Sequence, residues 1–194
     1  MKTPKLLALL ATFGAAAFFA VAADAPAPAA AAAPASYSVT LSNAHMCCGS
    51  CVKGAAAAVK GIDGVTAIGD TKAGTIAVTA PDKATAQKAV DALTGAGFFG
   101  KSSSADIKVN ADTGAKADKV SSMEVDNLHL CCGKCVTAVN DILSKVPGVT
   151  ANDAKTGAKS FTVSGDFSPK DVMDAFQKGG LTGKVGATKP EVKS

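Results

Sequence analysis

The chain has 194 residues, enough for one medium domain or two small ones, and a formal net charge of +4. The positive charge is all lysine; there is no arginine or tryptophan and only one tyrosine, so the bidentate phosphate contacts and base-stacking platforms of nucleic-acid readers are missing. Alanine makes up much of the 47% hydrophobic content, so any core must be small, built from Ala, Val, Ile and Leu, and of modest stability.

Residues 1–23 read as an export signal. Lys2 and Lys5 form a positive start, an apolar run follows from Leu6 to Val21, and small residues at Ala20 to Ala23 suit cleavage. An uncleaved anchor is the alternative, since the run is close to the ~18 apolar residues that span a bilayer. Residues 24–36 are an Ala/Pro spacer, too poor in large apolar groups to pack. The expected location is periplasmic or secreted, with no membrane association after cleavage. Paired thiols in such a compartment become disulfides unless a metal or a reductant intervenes.

Two similar domains are expected next, at 37–110 and 121–188, joined by a polar linker at 111–120 and followed by a tail at 189–194. In the first, Tyr37, Val39 and Leu41 alternate with polar residues as a half-buried strand does. Val52, Ala55, Ala56 and Val59 fall at helical spacing, stopped by Gly61 and Gly64. Strands at Val65 to Ile68 and Thr75 to Thr79 flank a turn, a helix follows Pro81, and Ile107 and Val109 supply a last short strand. The second copy repeats the order. Met123 and Val125 lie on a strand, and Val136, Val139, Leu143 and Val146 form a helical stripe. Strands at Val149 to Ala151 and Phe161 to Val163 follow, then a helix begins at Ser168-Pro169. This order predicts an α+β fold of two tandem ferredoxin-like βαββαβ domains, each with two helices on one face of a four-stranded antiparallel sheet.

All six cysteines and both histidines fall in two windows, His45-Met46-Cys47-Cys48-Gly49-Ser50-Cys51 and His129-Leu130-Cys131-Cys132-Gly133-Lys134-Cys135. Each Cys-x-x-Cys is expected at a helix N-terminus. There, free N–H groups and the helix dipole stabilise thiolate, which is both metal ligand and nucleophile. Cys47 and Cys131 add a third sulfur to each window, and His45 and His129 a nitrogen.

These windows resemble the loop of the heavy-metal-associated domain family, found in copper chaperones, metal-transporting ATPases and periplasmic mercury-binding proteins. Cys48 and Cys51, and Cys132 and Cys135, match that family's two ligand cysteines, and Met46 matches its loop methionine, replaced by Leu130 in the second copy. Lys101 and Lys184 match its lysine before the last strand, near the metal. The resemblance covers roughly residues 36–110 and 120–188. The sequence departs from the family in having His45 and His129 for a glycine, and Cys47 and Cys131 before the first ligand.

The resemblance implies an exported, non-enzymatic metal-binding protein that buffers or transfers a thiophilic ion, about one per repeat. Cu(I) is favoured for its match to soft sulfur, and the third thiol keeps Zn(II), Cd(II) and Hg(II) open. A metal donor or acceptor protein is the implied partner; nucleic acid is not. The alternatives are a periplasmic thiol–disulfide oxidoreductase using the Cys-x-x-Cys pairs, and an interaction module whose cysteines only brace loops. No thioredoxin-like element order is present, and a third cysteine invites mixed disulfides, which weighs against the oxidoreductase.

Overall fold

In a computed structural model, residues 36–190 are described; the expected signal segment lies outside them. The first lobe runs β1 (Tyr37–Ser42), α1 (Gly49–Val59), β2 (Thr66–Asp70), β3 (Thr75–Ala80), α2 (Lys83–Gly95) and β4 (Lys101–Ser102). The second runs β5 (Val120–Asp126), α3 (Gly133–Leu143), β6 (Val149–Asn152), β7 (Ser160–Phe167), α4 (Pro169–Lys178) and β8 (Lys184–Pro190). The sheet orders are β2-β3-β1-β4 and β6-β7-β5-β8, antiparallel throughout. This is the ferredoxin-like fold, twice.

The period-two pattern of β1 explains its place in the middle of the sheet. Val39 and Leu41 are buried on one face while Ser38 and Ser42 are exposed, and β3 answers with Ile76, Val78 and Ala80. Cys51, Ala55 and Val59 recur every fourth residue along α1 and close over that face beside Ala86, Ala89, Val90 and Leu93 of α2. The second lobe fills the same places with bulkier groups, including Met123, Phe161, Phe167 and Phe176. Truncating a fully buried leucine such as Leu41 or Leu93 to alanine should cost about 2–5 kcal/mol.

Three local features differ from the sequence reading. The last strand of the first lobe is Lys101–Ser102, not the Ile107/Val109 stretch. A run of serines ends the ladder: Ser103 Oγ accepts the Thr40 N–H at 2.9 Å, and Ser102 Oγ donates to Ser104 O at 2.8 Å. Past Ser103, whose N–H still donates to Thr40 O at 2.9 Å, the chain leaves the sheet, and Ile107 reaches the core from a bend. At α4, Pro169 takes the first helical position as expected, but the Ser168 hydroxyl makes no cap bond. The capping side chain lies instead at α2, where Asp82 accepts the Thr85 N–H at 2.8 Å.

The segment between the lobes has no regular element but is fastened at several points. Lys108 and Gln87 exchange two hydrogen bonds of 2.7 and 2.8 Å, Thr113 O accepts from Val185 N at 2.8 Å, and Lys116 O accepts from Lys170 N at 3.0 Å. Among the described residues no helix is long and apolar enough to cross a membrane.

The lobes meet through their equivalent segments. Phe98 and Leu181, each preceding the last strand of its lobe, pair in an isolated antiparallel bridge. Its bonds run from Thr182 N to Gly97 O (3.1 Å) and from Phe99 N to Gly180 O (3.3 Å). Equivalent residues meeting one another define a local pseudo-two-fold axis. His45 N donates to Gly180 O at 3.0 Å, and the Asn43 side chain donates to Lys178 O at 3.0 Å. Gly97 and Gly180 are required here. Both have left-handed backbone (φ 89° and 77°), and a methyl group on Gly97 would stand 2.6 Å from Asn127 O and His129 N.

Candidate metal centre

Cys48 and Cys132 are the N-cap residues of α1 and α3, with extended backbone (φ −164° and −157°) and no side-chain cap bond. Cys51 and Cys135 lie one turn into those helices on the core-facing stripe and are fully buried, whereas Cys47, Cys48, Cys131 and Cys132 are half-buried. The loop residues beneath them, Met46 and Leu130, are both 4% exposed, which fits packing rather than ligation.

The pairing of the lobes brings the two windows together. Within the first lobe, Cys51 Sγ is 3.6 Å from Cys47 Sγ and 3.9 Å from Cys48 Sγ; within the second, Cys135 Sγ is 3.7 and 3.8 Å from Cys131 and Cys132. Between lobes the distances are no longer. Cys47 lies 3.6 Å from Cys132 and 3.5 Å from Cys135; the equivalent pairs, Cys131 with Cys48 and with Cys51, measure 3.8 and 3.5 Å. Cys48 and Cys132, themselves equivalent, are 3.6 Å apart across the pseudo-axis. All six thiols are free, and these separations are far beyond the ~2.05 Å of a disulfide. The sequence reading expected two exposed turns; the structure has one shared site.

The thiols are electrostatically unequal. The Cys51 N–H, directed at the Cys48 sulfur, is the main reason that thiol is lowered to about 6. Cys132 is lowered in the same way by the Cys135 N–H. Loss of water pushes Cys47 and Cys131 up, helped by the neighbouring sulfurs of Cys135 and Cys51 respectively, and burial also raises Cys135. Two thiolates ~4 Å apart repel by about 4 kcal/mol at an effective dielectric of ~20. Six so close together therefore cannot all ionise unless cations enter between them.

The two histidines differ. Both are half-buried, both have an Nε2 without a hydrogen-bond partner, and burial lowers the pKa of both, with His45 nearby lowering His129 further. One His45 ring nitrogen lies within 4.8 Å of the Cys47 and Cys135 sulfurs. His129 instead packs across the lobe boundary on Phe98, ring centroids 4.4 Å apart and tilted by 35°. Lys101 and Lys184 are exposed at the starts of β4 and β8, opposite Ser42 and Asp126. A cleft of about 730 Å³ is lined by residues such as Asn43, Phe99, Ile107 and Gln177 and includes no cysteine.

Gly97, Phe98, Gly180 and Leu181 join the two windows and were not singled out in the sequence. Their signal was the second repeated pattern, Gly97-Phe98-Phe99-Gly100-Lys101 against Gly180-Leu181-Thr182-Gly183-Lys184.

No known family profile matches this chain. Among solved structures, the N-terminal domain of PacS from Synechocystis PCC6803 is 22% identical, covering 34% of this chain and 97% of that one, with a TM-score of 0.31. The N-terminal soluble domains of Bacillus subtilis CopA are 18% identical over 79% of this chain and 96% of theirs, at 0.29. The first two RRM domains of the yeast poly(U)-binding protein Pub1 are 16% identical over 77% and 98%, at 0.24. Likeness at this level concerns chain path alone, and function has to be read from the site. Each lobe has the ferredoxin-like order, with Cys48/Cys51 and Cys132/Cys135 where the loop enters the first helix.

Proposed function

We propose that this chain is an exported, non-enzymatic carrier of a thiophilic metal ion, with Cu(I) as the favoured cargo. The observation that carries the reading is the meeting of six free thiols at 3.5–3.9 Å across the lobe boundary. So many sulfurs within van der Waals reach suit a soft cation, which removes their mutual repulsion once they are deprotonated. Cys48 and Cys132, half-exposed at helix N-termini, are the sulfurs through which an ion enters and leaves by stepwise ligand exchange with a donor or acceptor protein. The export signal read in residues 1–23 puts this exchange in the periplasm or outside the cell, where a bound metal would also keep the thiols from oxidising.

A thiol–disulfide oxidoreductase remains the competing reading because Cys48 has the lowered thiol pKa of an attacking group. A dithiol catalyst, however, needs one nucleophile and one resolving partner, and here Cys48 has Cys51, Cys131 and Cys132 all within 3.9 Å.

The test is metal content after purification under reductant. The wild-type chain should retain Cu(I) through desalting, and the Cys48→Ser/Cys132→Ser variant should lose most of it. Equal retention by the two proteins would remove the ligand assignment. Catalytic insulin reduction by the metal-free chain would favour the oxidoreductase.

A further inference from the structure

We propose that the two lobes hold one sulfur-bridged cluster of several Cu(I) ions, in place of one ion per repeat; the proposal rests on the metal-binding reading above. It comes from how the donor groups overlap. Sets of three ligand atoms lying mutually within 4.8 Å include Cys47/Cys48/Cys132, Cys48/Cys51/Cys131, Cys131/Cys132/Cys135 and His45/Cys47/Cys135. Three of these draw on both lobes.

The sets share corners. Cys48 belongs to the first and second, Cys132 to the first and third, and Cys131 to the second and third. Cys47 joins the first to the fourth, and Cys135 joins the third to the fourth. Cys51 is tied in as well, 3.6 Å from Cys47 in its own lobe and 3.5 Å from Cys131 in the other. A thiolate has lone pairs enough to bind two soft cations at once, so a sulfur common to two sets is a bridging ligand.

The size of the sets selects the ion. Each contains three donors, the number a trigonal Cu(I) centre uses, whereas structural Zn(II) almost always takes four in a tetrahedron. The charge also fits a monovalent ion. Loading exchanges thiol protons for Cu(I), the protons leave to solvent, and neither sulfur nor copper changes oxidation state. The fourth set has one nitrogen donor, from His45.

The full chain, fully reduced and held without oxygen, is titrated with Cu(I) and followed by native mass spectrometry and copper-edge X-ray absorption. The expected result is a passage from the metal-free mass to a single mass carrying three or more coppers, with little one- or two-copper form between. A sulfur-dominated shell and a copper–copper scattering path should accompany it. Two coppers per chain, bound in separate steps and without that path, would overturn the cluster while leaving the metal-carrier reading intact. A chain that retains no copper would overturn both.

Discussion

The two lobes share a fold and a cysteine pattern, yet they treat their histidines differently. In the first window the His45 ring is free to reach Cys47 and Cys135; in the second, His129 packs on Phe98 from the opposite lobe. The residue equivalent to Phe98 is Leu181, which offers His45 no aromatic face. One aromatic-for-aliphatic difference beside the pseudo-axis thus separates a histidine with access to the sulfurs from one held in packing. A duplicated motif does not guarantee a duplicated role.

The comparison is broken most severely by forcing the lobes apart. Gly97→Val and Gly180→Val each push a branched side chain into the other lobe's backbone from a left-handed conformation, and each should destabilise by about 3 kcal/mol or more. Thermal denaturation checks the loss, and copper titration should show capacity falling with it. Gly133→Ala, where nothing lies within 4 Å, should leave both readings near wild type.

Phe98→Ala is next in size. Removing a ring that is 1% exposed should cost about 3–5 kcal/mol in denaturant unfolding and free the face of His129. The histidine pair gives a smaller and more selective effect. His45→Ala should lower the copper bound with little change in stability, and His129→Ala should keep the copper number while lowering the melting temperature. Equal behaviour of the two variants would erase the distinction between the lobes.

The smallest effect lies in the thiols themselves. In the metal-free chain, alkylation of Cys48 should rise with pH and level off above about 6, with Cys132 also ahead of Cys47 and Cys131, as read by peptide mass spectrometry. Because the Cys48 pKa is lowered on folding, its contribution to stability is complete above the unfolded thiol value of ~8.5 and disappears as pH falls through about 6. Cys47 and Cys131, raised on folding, contribute in the opposite sense, below the unfolded value and not at alkaline pH.

Much of this architecture was legible in the residues. The alternation of Val39 and Leu41, the four-residue spacing of Cys51, Ala55 and Val59, and Pro169 at a helix start each identify an element through a purely local rule. The position of Cys48 and Cys132 at helix starts follows from the same kind of reasoning. The final strand of the first lobe was misread because the Ser102 and Ser103 hydroxyls take over backbone bonds, which hydrophobic pattern does not register. The meeting of the windows was hidden for a different reason. It depends on Gly97 and Gly180 letting two distant backbones touch, and a glycine in a sequence looks the same whether it serves a turn or a contact.

The bridge between Phe98 and Leu181 joins each half to its own counterpart, the geometry of a homodimer written into one polypeptide. Separate halves would find one another only at sufficient concentration. Tethered in a single chain, they meet at the same effective concentration however dilute the protein becomes. A cage assembled from both halves therefore stays whole at any dilution, where a dissociable pair would drift apart.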